Sequence, residues 1–401
     1  MPRPKRRVFG PLFYSTLVLA VLVTTFTGIV TYREDLHGWR KMRALTAALR
    51  SADPAESAWA VAGLPSMGPE IALPYLLEAA RDPRGEVRVA AFRALVALRA
   101  DPEATANLLV AATTDGLAEV RMVAATGLGR LIEQQGSTIW KVSGTPTLSA
   151  SRRDAIREAL RRLVFDESGG VQVAAVEALG ALETDSATVA DLTRAASDPD
   201  RAVRLASAKV LLKSNGSGDV TAARTLVALV GEPSVVLDRR PALEALGNAG
   251  PTARAEAAAA LGALLAHDDP AVRDDALDCL ANLGPPARAA LPAIEALTKA
   301  KDVNLRALAG KAIVAIEGKE SPKGVAVLIG MVLDAGLPRE TRYFALESIR
   351  EVNPAPLSRA TPDLIRQLGD PAPTTRMLAH ELLGSILYDI PAQIPGPAGG
   401  K

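Results

Sequence analysis

Apolar and polar positions follow one another along most of the chain with the spacing of amphipathic helices. The stretch at residues 82–98, DPRGEVRVAAFRALVAL, begins with an acidic turn and continues into a segment where apolar residues recur at intervals of three, four and seven. Such intervals place side chains on one face of a helix. Closely similar phrases return through the rest of the chain, so the pattern predicts a repeated helical unit.

The copies align on one residue of each phrase, which we call the marker. The markers are Arg88, Arg121, Gln172, Arg204, Arg239, Arg273, Arg306, Arg342 and Arg376, with a degenerate copy at Ser57. From Arg88 onward the markers are 32–36 residues apart, except for a gap of 51 after Arg121. A fixed period of this size is typical of stacked repeats, in which each unit buries its apolar face against its neighbours.

Two apolar columns accompany the markers. Three positions after each marker stands a small residue: Ala91, Ala124, Ala175, Ser207, Ala242, Ala276, Ala309, Ala345 and Ala379. Seven positions after it stands a large aliphatic one: Leu95, Leu128, Leu179, Leu211, Leu246, Leu280, Ile313, Ile349 and Leu383. We expect the small column to let two helices approach and the large column to fill the space between them.

An acidic turn precedes many of these helices. Six positions before the marker stand Asp82, Asp115, Asp166, Asp198 and Asp370. Asp is a favoured helix cap, so these residues are predicted to cap the second helix of each unit. The fixed separation of Asp and Arg also predicts bonds between neighbouring units, the alternative being independent caps and solvated Arg side chains.

Upstream of each marker lies another amphipathic segment, the first helix of the unit. Pro74, Pro292 and Pro362 each stand 14 residues before a marker. A proline within a helix removes one hydrogen bond and kinks it, so the first helices are predicted to be bent.

A unit made of a bent helix, a turn with Asp and a straighter helix resembles the HEAT repeat superfamily, in particular its short type named after phycobilisome lyases. The resemblance covers roughly residues 39–388. It implies an all-α fold: an α-solenoid at residues 36–388, a right-handed superhelix of about ten helix pairs whose second helices line a concave face. Only 3% of the residues are aromatic, which suits helix pairs filled by Ala and Leu.

The N-terminal region has a different composition. A basic tail at residues 1–11 precedes residues 12–32, which carry no charge over 21 positions. At ~1.5 Å per residue this run spans a hydrocarbon core of ~30 Å, so it is predicted to be a transmembrane signal-anchor helix. A cleaved signal peptide and a buried first helix are the alternatives. The basic residues close to the run favour a cytoplasmic N-terminus, with the repeats on the outer, periplasm-like side of a single-pass membrane protein.

The gap of 51 residues contains an insertion, predicted as a loop at residues 133–153. Insertions in repeat arrays are often binding elements, although a tolerated surface loop explains this one equally well. Trp140 is its candidate contact residue, because Trp is enriched at interface hot spots. The Pro- and Gly-rich tail at residues 389–401 is predicted to be disordered.

We find no candidate catalytic or cofactor-binding residues in the sequence. His37, His267 and His380 form no metal-ligand spacing with one another or with Cys279, so no metal is expected. Cys279 is predicted to be inert, because Asp274, Asp275 and Asp278 lie close to it in sequence and would raise its pKa. The formal net charge of +1 gives no attraction for nucleic acid.

These observations favour a non-catalytic, membrane-tethered scaffold that binds a protein or peptide partner on its concave face. The side chain five positions after each marker is expected to point outward there, a set that we call the inner column: Arg93, Thr126, Glu177, Lys209, Glu244, Asp278, Lys311, Glu347 and Glu381. Its mixed charges suit a protein partner or a simply solvated face. The alternatives are a phycobilin-lyase-like enzyme or ligand-binding solenoid, which the superfamily resemblance suggests, and a nucleic-acid-binding helical-repeat protein.

Overall fold

The computed structural model describes residues 42–350, apart from positions 100, 137–146, 215, 217, 233–238, 319–320 and 335, and parts of 362–388. Within this part all regular secondary structure is helical and there are no strands. No helix in the described residues has the length and apolar character needed to span a membrane. The predicted anchor at 12–32 and the predicted tail at 389–401 lie outside the described residues.

The chain divides into two compact units, with the boundary between Leu163 and Val164. In the first unit a helical segment at 42–48 precedes six α-helices and a short 3₁₀ helix at Leu64–Met67. The helices are α1 (Pro54–Gly63), α2 (Pro69–Ala79), α3 (Gly85–Leu98), α4 (Pro102–Ala112), α5 (Ala118–Gly136) and α6 (Ala150–Leu163).

The second unit continues the alternation of first and second helices. Its helices are α7 (Gly169–Leu179), α8 (Ser186–Ala195), α9 (Arg201–Lys213), α10 (Asp219–Gly231), α11 (Arg240–Gly247), α12 (Pro251–Leu264), α13 (Pro270–Leu283), α14 (Leu291–Leu297), α15 (Val303–Glu317), α16 (Pro322–Leu333), α17 (Arg339–Arg350) and α18 (Pro373–Tyr388). A 3₁₀ helix at Pro285–Ala290 directly precedes α14. The second helices of the predicted repeats are the odd-numbered helices from α1 to α17 together with α18.

The two apolar columns are the core of each unit. Every residue of the small column is fully buried, including Ala60 of the degenerate first copy and the polar Ser207. Every residue of the large column is also buried, except for the partly exposed Leu383 in α18. The columns therefore form the helix-packing seam that the sequence predicts, and the degenerate copy packs like the others.

The acidic turns differ from the prediction in one respect. Asp82, Asp115, Asp166 and Asp198 each accept a hydrogen bond from the backbone N–H two residues later. For α3, α7 and α9 that second residue is the actual N-cap of the helix. The prediction that these Asp residues cap the helix was therefore wrong: each closes an Asx turn just ahead of the cap. The surroundings of Asp370 lie outside the described residues.

The cap itself stands four positions before the marker. Asp200, Asp269 and Asp302 occupy it in α9, α13 and α15, and each accepts a hydrogen bond from a backbone N–H of the first helical turn. These acceptors satisfy N–H groups that have no partner within the helix.

The predicted bond between neighbouring units is confirmed, and it recurs. The marker side chain reaches an acidic residue of the following turn in four pairs: Arg88–Asp115, Gln172–Asp198, Arg204–Glu232 and Arg239–Asp269. The Arg markers also bind their own turn, because Nη1 of Arg88, Arg204 and Arg273 donates to the carbonyls six and five positions earlier. In two repeats, at Arg88 and Arg204, one guanidinium thus closes its own turn and also contacts the next.

The prolines predicted to bend the first helices stand in different places in two repeats. Pro74 lies inside α2, as expected. Pro292 instead stands in the first turn of α14, after the separate 3₁₀ helix, so in this repeat the first helix is broken rather than bent. A proline in the first turn removes no helical hydrogen bond, which explains why α14 begins there. The neighbours of Pro362 lie outside the described residues.

The insertion is shorter than the predicted loop at 133–153. Helix α5 continues to Gly136 and α6 begins at Ala150, because the flanking Glu, Gln, Ala and Arg residues are good helix formers. The end of the insertion is fixed by Leu148, which is buried, and by Ser149, whose N–H donates to Glu103 Oε1 at 2.6 Å. Residues 137–146, with Trp140, lie outside the described residues.

Candidate binding surface

The inner column lies at the surface wherever the structure describes its side chains. Its exposed members are Arg93, Thr126, Glu177, Lys209, Glu244, Asp278, Lys311 and Glu347. Each stands on a helix whose positions two before and two after it, the small and large columns, are buried. The second helices therefore present one face to the core and this column to solvent. Glu381 lies in α18, but its side chain is outside the described residues.

Members of the inner column make long, exposed contacts with residues of the next second helix. In the first unit Arg93 Nη2 lies 3.8 Å from Glu119 Oε1 of α5, with exposed fractions of 62% and 51%. In the second unit Lys311 Nζ lies 3.7 Å from Asp278 Oδ1 and 5.8 Å from the ring centre of Phe344. Ion pairs this exposed add little stability, so these side chains are free to exchange partners.

The first unit has a groove on the same face of α1, α3 and α5. Its volume is about 470 Å³, within the range of ~300–1,000 Å³ common for ligand sites. Apart from Val89 and Pro65, its apolar lining is made of alanines: Ala58, Ala62, Ala90, Ala94 and Ala97. Glu86, Arg93 and Glu119 supply its charges, so the groove includes one predicted site residue, Arg93.

Trp59 on α1 is a surface feature that the sequence prediction missed. Its side chain is 65% exposed. It stands two positions after Ser57, the place that Ala90 takes after Arg88, and it is not among the residues that line the groove. Alignment of the degenerate first copy with its neighbours was the signal that could have found it.

The described residues hold no group of three or more His, Cys, Asp and Glu residues able to bind a metal ion. Burial, followed by the charges of Asp278 and Asp275, raises the pKa of the Cys279 thiol to about 12. The predicted raised pKa is therefore confirmed, although burial contributes more than the neighbouring charges. Burial also raises the pKa of Asp274, and the nearby Asp302 carboxylate adds to the effect.

The profile of the family described as HEAT repeats matches residues 42–129 and 153–247. Two regions of the chain are therefore HEAT repeats. The two matched segments include the markers from Ser57 to Arg239 and leave out the insertion, which agrees with the helix pairs seen in both units. No curated protein matches the sequence.

Solved structures share this fold. Importin beta aligns with a TM-score of 0.60 and 14% identity over 86% of this chain and 50% of its own. Kap121p bound to Nup53p aligns with a TM-score of 0.58 and 13% identity over 86% and 41%. Kap95p, described with RanGDP, gives 0.57 and 14% over 88% and 51%. The HEAT-repeat chain thus spans about half or less of these proteins, and the likeness establishes the fold.

Proposed function

We propose that this HEAT-repeat chain is a non-catalytic scaffold, tethered to a membrane, that binds a protein or peptide partner through the inner column. The proposal is supported by a difference in burial between neighbouring positions of each second helix. The small and large columns are buried, whereas the charged side chains between them are exposed from Arg93 to Glu347. Within each unit, a regular series of exposed side chains on successive second helices is well suited to binding an extended partner.

The charges of the column favour a protein over nucleic acid. Three of its members are basic and four acidic: Arg93, Lys209 and Lys311 against Glu177, Glu244, Asp278 and Glu347. A nucleic-acid track neutralises successive phosphates and is mainly basic. The solved structures of the same fold include Kap121p bound to Nup53p, and we extend protein binding to this chain as a proposal.

The proposed membrane tether is inferred from the uncharged run at residues 12–32. Fusions of alkaline phosphatase and of green fluorescent protein to the C-terminus test it, because phosphatase is active only outside the cytoplasm. We expect phosphatase activity and no fluorescence, together with recovery of the uncleaved chain in the membrane fraction. A fluorescent, phosphatase-negative fusion would show that the repeats lie on the cytoplasmic side.

Binding through the column is tested by cross-linking the full-length protein in its own cells, followed by capture and mass spectrometry. The variant reverses three adjacent charges of the column, with Glu177→Lys, Lys209→Glu and Glu244→Lys. Its matched control reverses three exposed charges away from the column, with Glu70→Lys, Glu158→Lys and Lys299→Glu. We expect the same few partner proteins with the wild type and the control, and their loss with the column variant. Equal recovery with both variants would contradict the proposal.

A further inference from the structure

The groove of the first unit lacks an arginine that the next pair of repeats has. Between α3 and α5, the Arg93 guanidinium of the inner column lies 3.8 Å from Glu119, which stands two positions before its marker. Between α1 and α3 the same two repeat positions hold Ala62 and Glu86, and both residues line the groove. Helices α1 and α3 therefore present the carboxylate of this pair without the guanidinium.

Glu86 is consequently left without an ionic partner. Its side chain is exposed, and none of the described basic side chains forms an ion pair with it. The other carboxylate of the groove, that of Glu119, already has Arg93 beside it. The groove therefore contains one carboxylate that is not neutralised, at a position where the next pair of repeats places a cation.

The walls of the groove suit the rest of an arginine side chain. Its volume of about 470 Å³ has room for a long side chain, and its apolar surface includes the methyl groups of Ala58, Ala62, Ala90 and Ala94. Arginine packs its methylene groups on apolar surfaces, while its planar and weakly hydrated guanidinium binds a carboxylate through two parallel hydrogen bonds. The ammonium group of lysine is more strongly hydrated and lacks this planar geometry, so the groove favours arginine.

We propose that the groove binds an arginine side chain of the partner, with its methylene groups on the alanines of α1 and α3 and its guanidinium on Glu86. The Arg93–Glu119 pair is the same contact made within the chain. The inference rests on the proposed function, because Ala62 is the inner-column position of the degenerate first copy. A phosphate-bearing ligand is disfavoured, since the groove has two carboxylates and a single guanidinium.

The test uses saturation-transfer NMR, which detects weak ligands of a large protein, on the full-length chain in detergent micelles. The probe is the blocked tripeptide acetyl-Gly-Arg-Gly-amide. The comparison peptides carry citrulline, the neutral isostere of arginine, or lysine in its place. We expect saturation transfer to the arginine methylene protons, a signal about two- to fivefold weaker from the citrulline peptide, and an intermediate signal from the lysine peptide.

Variants of the protein locate the site. Ala62→Arg places the missing guanidinium in the groove from an exposed position, so the signal of the arginine peptide should fall about fivefold or more. Glu86→Gln removes the carboxylate and should lower that signal to the level of the citrulline peptide. The matched controls are Ala111→Arg on α4 and Glu70→Gln on α2, exposed positions that do not line the groove, and their signals should stay within about twofold of the wild type.

Three results would overturn the inference: equal signals from the arginine and citrulline peptides, signals that Ala62→Arg and Glu86→Gln leave unchanged, and no transfer to any peptide. The scaffold function is judged separately, by cross-linking in cells with Ala62→Arg beside the column variant. Partners that are lost with the column variant but retained with Ala62→Arg would leave that function standing and reject this inference. Binding of the arginine peptide as expected, with partner recovery unchanged in the column variant, would support the groove and reject the scaffold function.

Discussion

The guanidinium of Arg88 makes two parallel hydrogen bonds to the carboxylate of Asp115, which stands 27 residues later in the turn of the next repeat. Nε and Nη2 of Arg88 lie 2.9 and 2.8 Å from the two carboxylate oxygens. The remaining nitrogen, Nη1, donates to the carbonyls of Asp82 and Pro83 in its own turn. Asp115 in turn accepts the N–H of Leu117. One side-chain pair therefore fixes two successive turns of the first unit.

The Arg88–Asp115 pair is expected to contribute measurably to stability. Its side chains are only 18% and 16% exposed, and the bidentate geometry is favourable. In a double-mutant cycle with Arg88→Met and Asp115→Asn, we expect each single change to lower the free energy of unfolding by about 1–3 kcal/mol and the coupling energy to be about 1 kcal/mol. Urea denaturation of the full-length chain measures these values.

The exposed pair Arg93–Glu119 is the control for that cycle, since it joins the same two repeats. Arg93 Nη2 and Glu119 Oε1 are 3.8 Å apart, and both side chains are more than half exposed. The same cycle with Arg93→Met and Glu119→Gln should give a coupling of less than about 0.5 kcal/mol. Equal couplings for the two pairs would mean that the turn-to-turn bond is no stronger than an ordinary surface ion pair.

Gly324 allows two helix backbones to approach in the second unit. A Cβ atom at this position of α16 would lie 2.9 Å from the backbone N of Val314 and 3.1 Å from the carbonyl O of Gly310, both in α15. Backbone atoms cannot move aside cheaply, so Gly324→Ala should lower the free energy of unfolding by about 1–3 kcal/mol. At the exposed Gly330 of the same helix, an added Cβ atom would meet no other atom within 4 Å.

Gly330→Ala therefore provides the matched control for Gly324→Ala. With no clash to oppose it, the higher helix propensity of Ala should stabilise the unit by up to about 1 kcal/mol. Thermal unfolding followed by circular dichroism compares the two variants. If both substitutions shift the unfolding temperature upward, α15 and α16 are not packed as closely as described.

Glu103 connects α4 to the start of α6. The N–H of Ser149, followed by the side chain of Arg152, lowers the pKa of Glu103 to about 2 from an ordinary 4.5. Because the folded-state pKa is the lower one, this stabilisation is present above about pH 4.5 and is lost as the pH falls towards 2. Glu103→Gln should therefore flatten the dependence of stability on pH within that window, as measured by urea denaturation at a series of pH values.

Glu158→Gln on α6 is the control for Glu103→Gln. Its carboxylate is 58% exposed and lies 3.4 Å from Arg161, one turn away on the same helix. This variant should keep the acid dependence of the wild type. An unchanged pH profile for Glu103→Gln would show that the contact with Ser149 does not stabilise the folded chain.

Cys279 should be unreactive in the folded protein. Its side chain is 2% exposed, and burial together with Asp278 and Asp275 raises the thiol pKa to about 12, so little thiolate forms near neutral pH. We expect Ellman's reagent to modify it only at the rate of unfolding, and to react promptly in denaturant. Fast labelling of the native chain, with unchanged circular dichroism, would contradict the burial of α13 in the second unit.

The repeat, its period and its core could be predicted from the sequence because they depend on local spacing. Residues three and seven positions after a marker share one helix face, so their burial follows from helix geometry alone. The break before Pro292 and the extent of the insertion were less predictable. The first depends on a preceding 3₁₀ turn, and the second on where Leu148 and Ser149 contact α4 and α5.

The residues of the candidate site were likewise predictable from the sequence only in part. The inner column follows from the repeat, and its exposure could be predicted position by position. Trp59 was missed, because the degenerate first copy was not aligned residue by residue with its neighbours, and its exposure on α1 was seen only in the structure. Trp140 was chosen from composition and remains a prediction outside the described residues.

The sequence by itself determined which residues face the core, since a period of 3.6 residues and a repeat near 34 leave few ways to bury the apolar positions. Only the tertiary structure decided which atoms satisfy the polar groups of the turns. Asp82 binds a backbone N–H two residues away, whereas Arg88 reaches Asp115 in the next repeat. The same Asp and Arg recur six positions apart in several repeats. Whether the Arg of one repeat reaches the Asp of the next depends on how closely successive helix pairs stack.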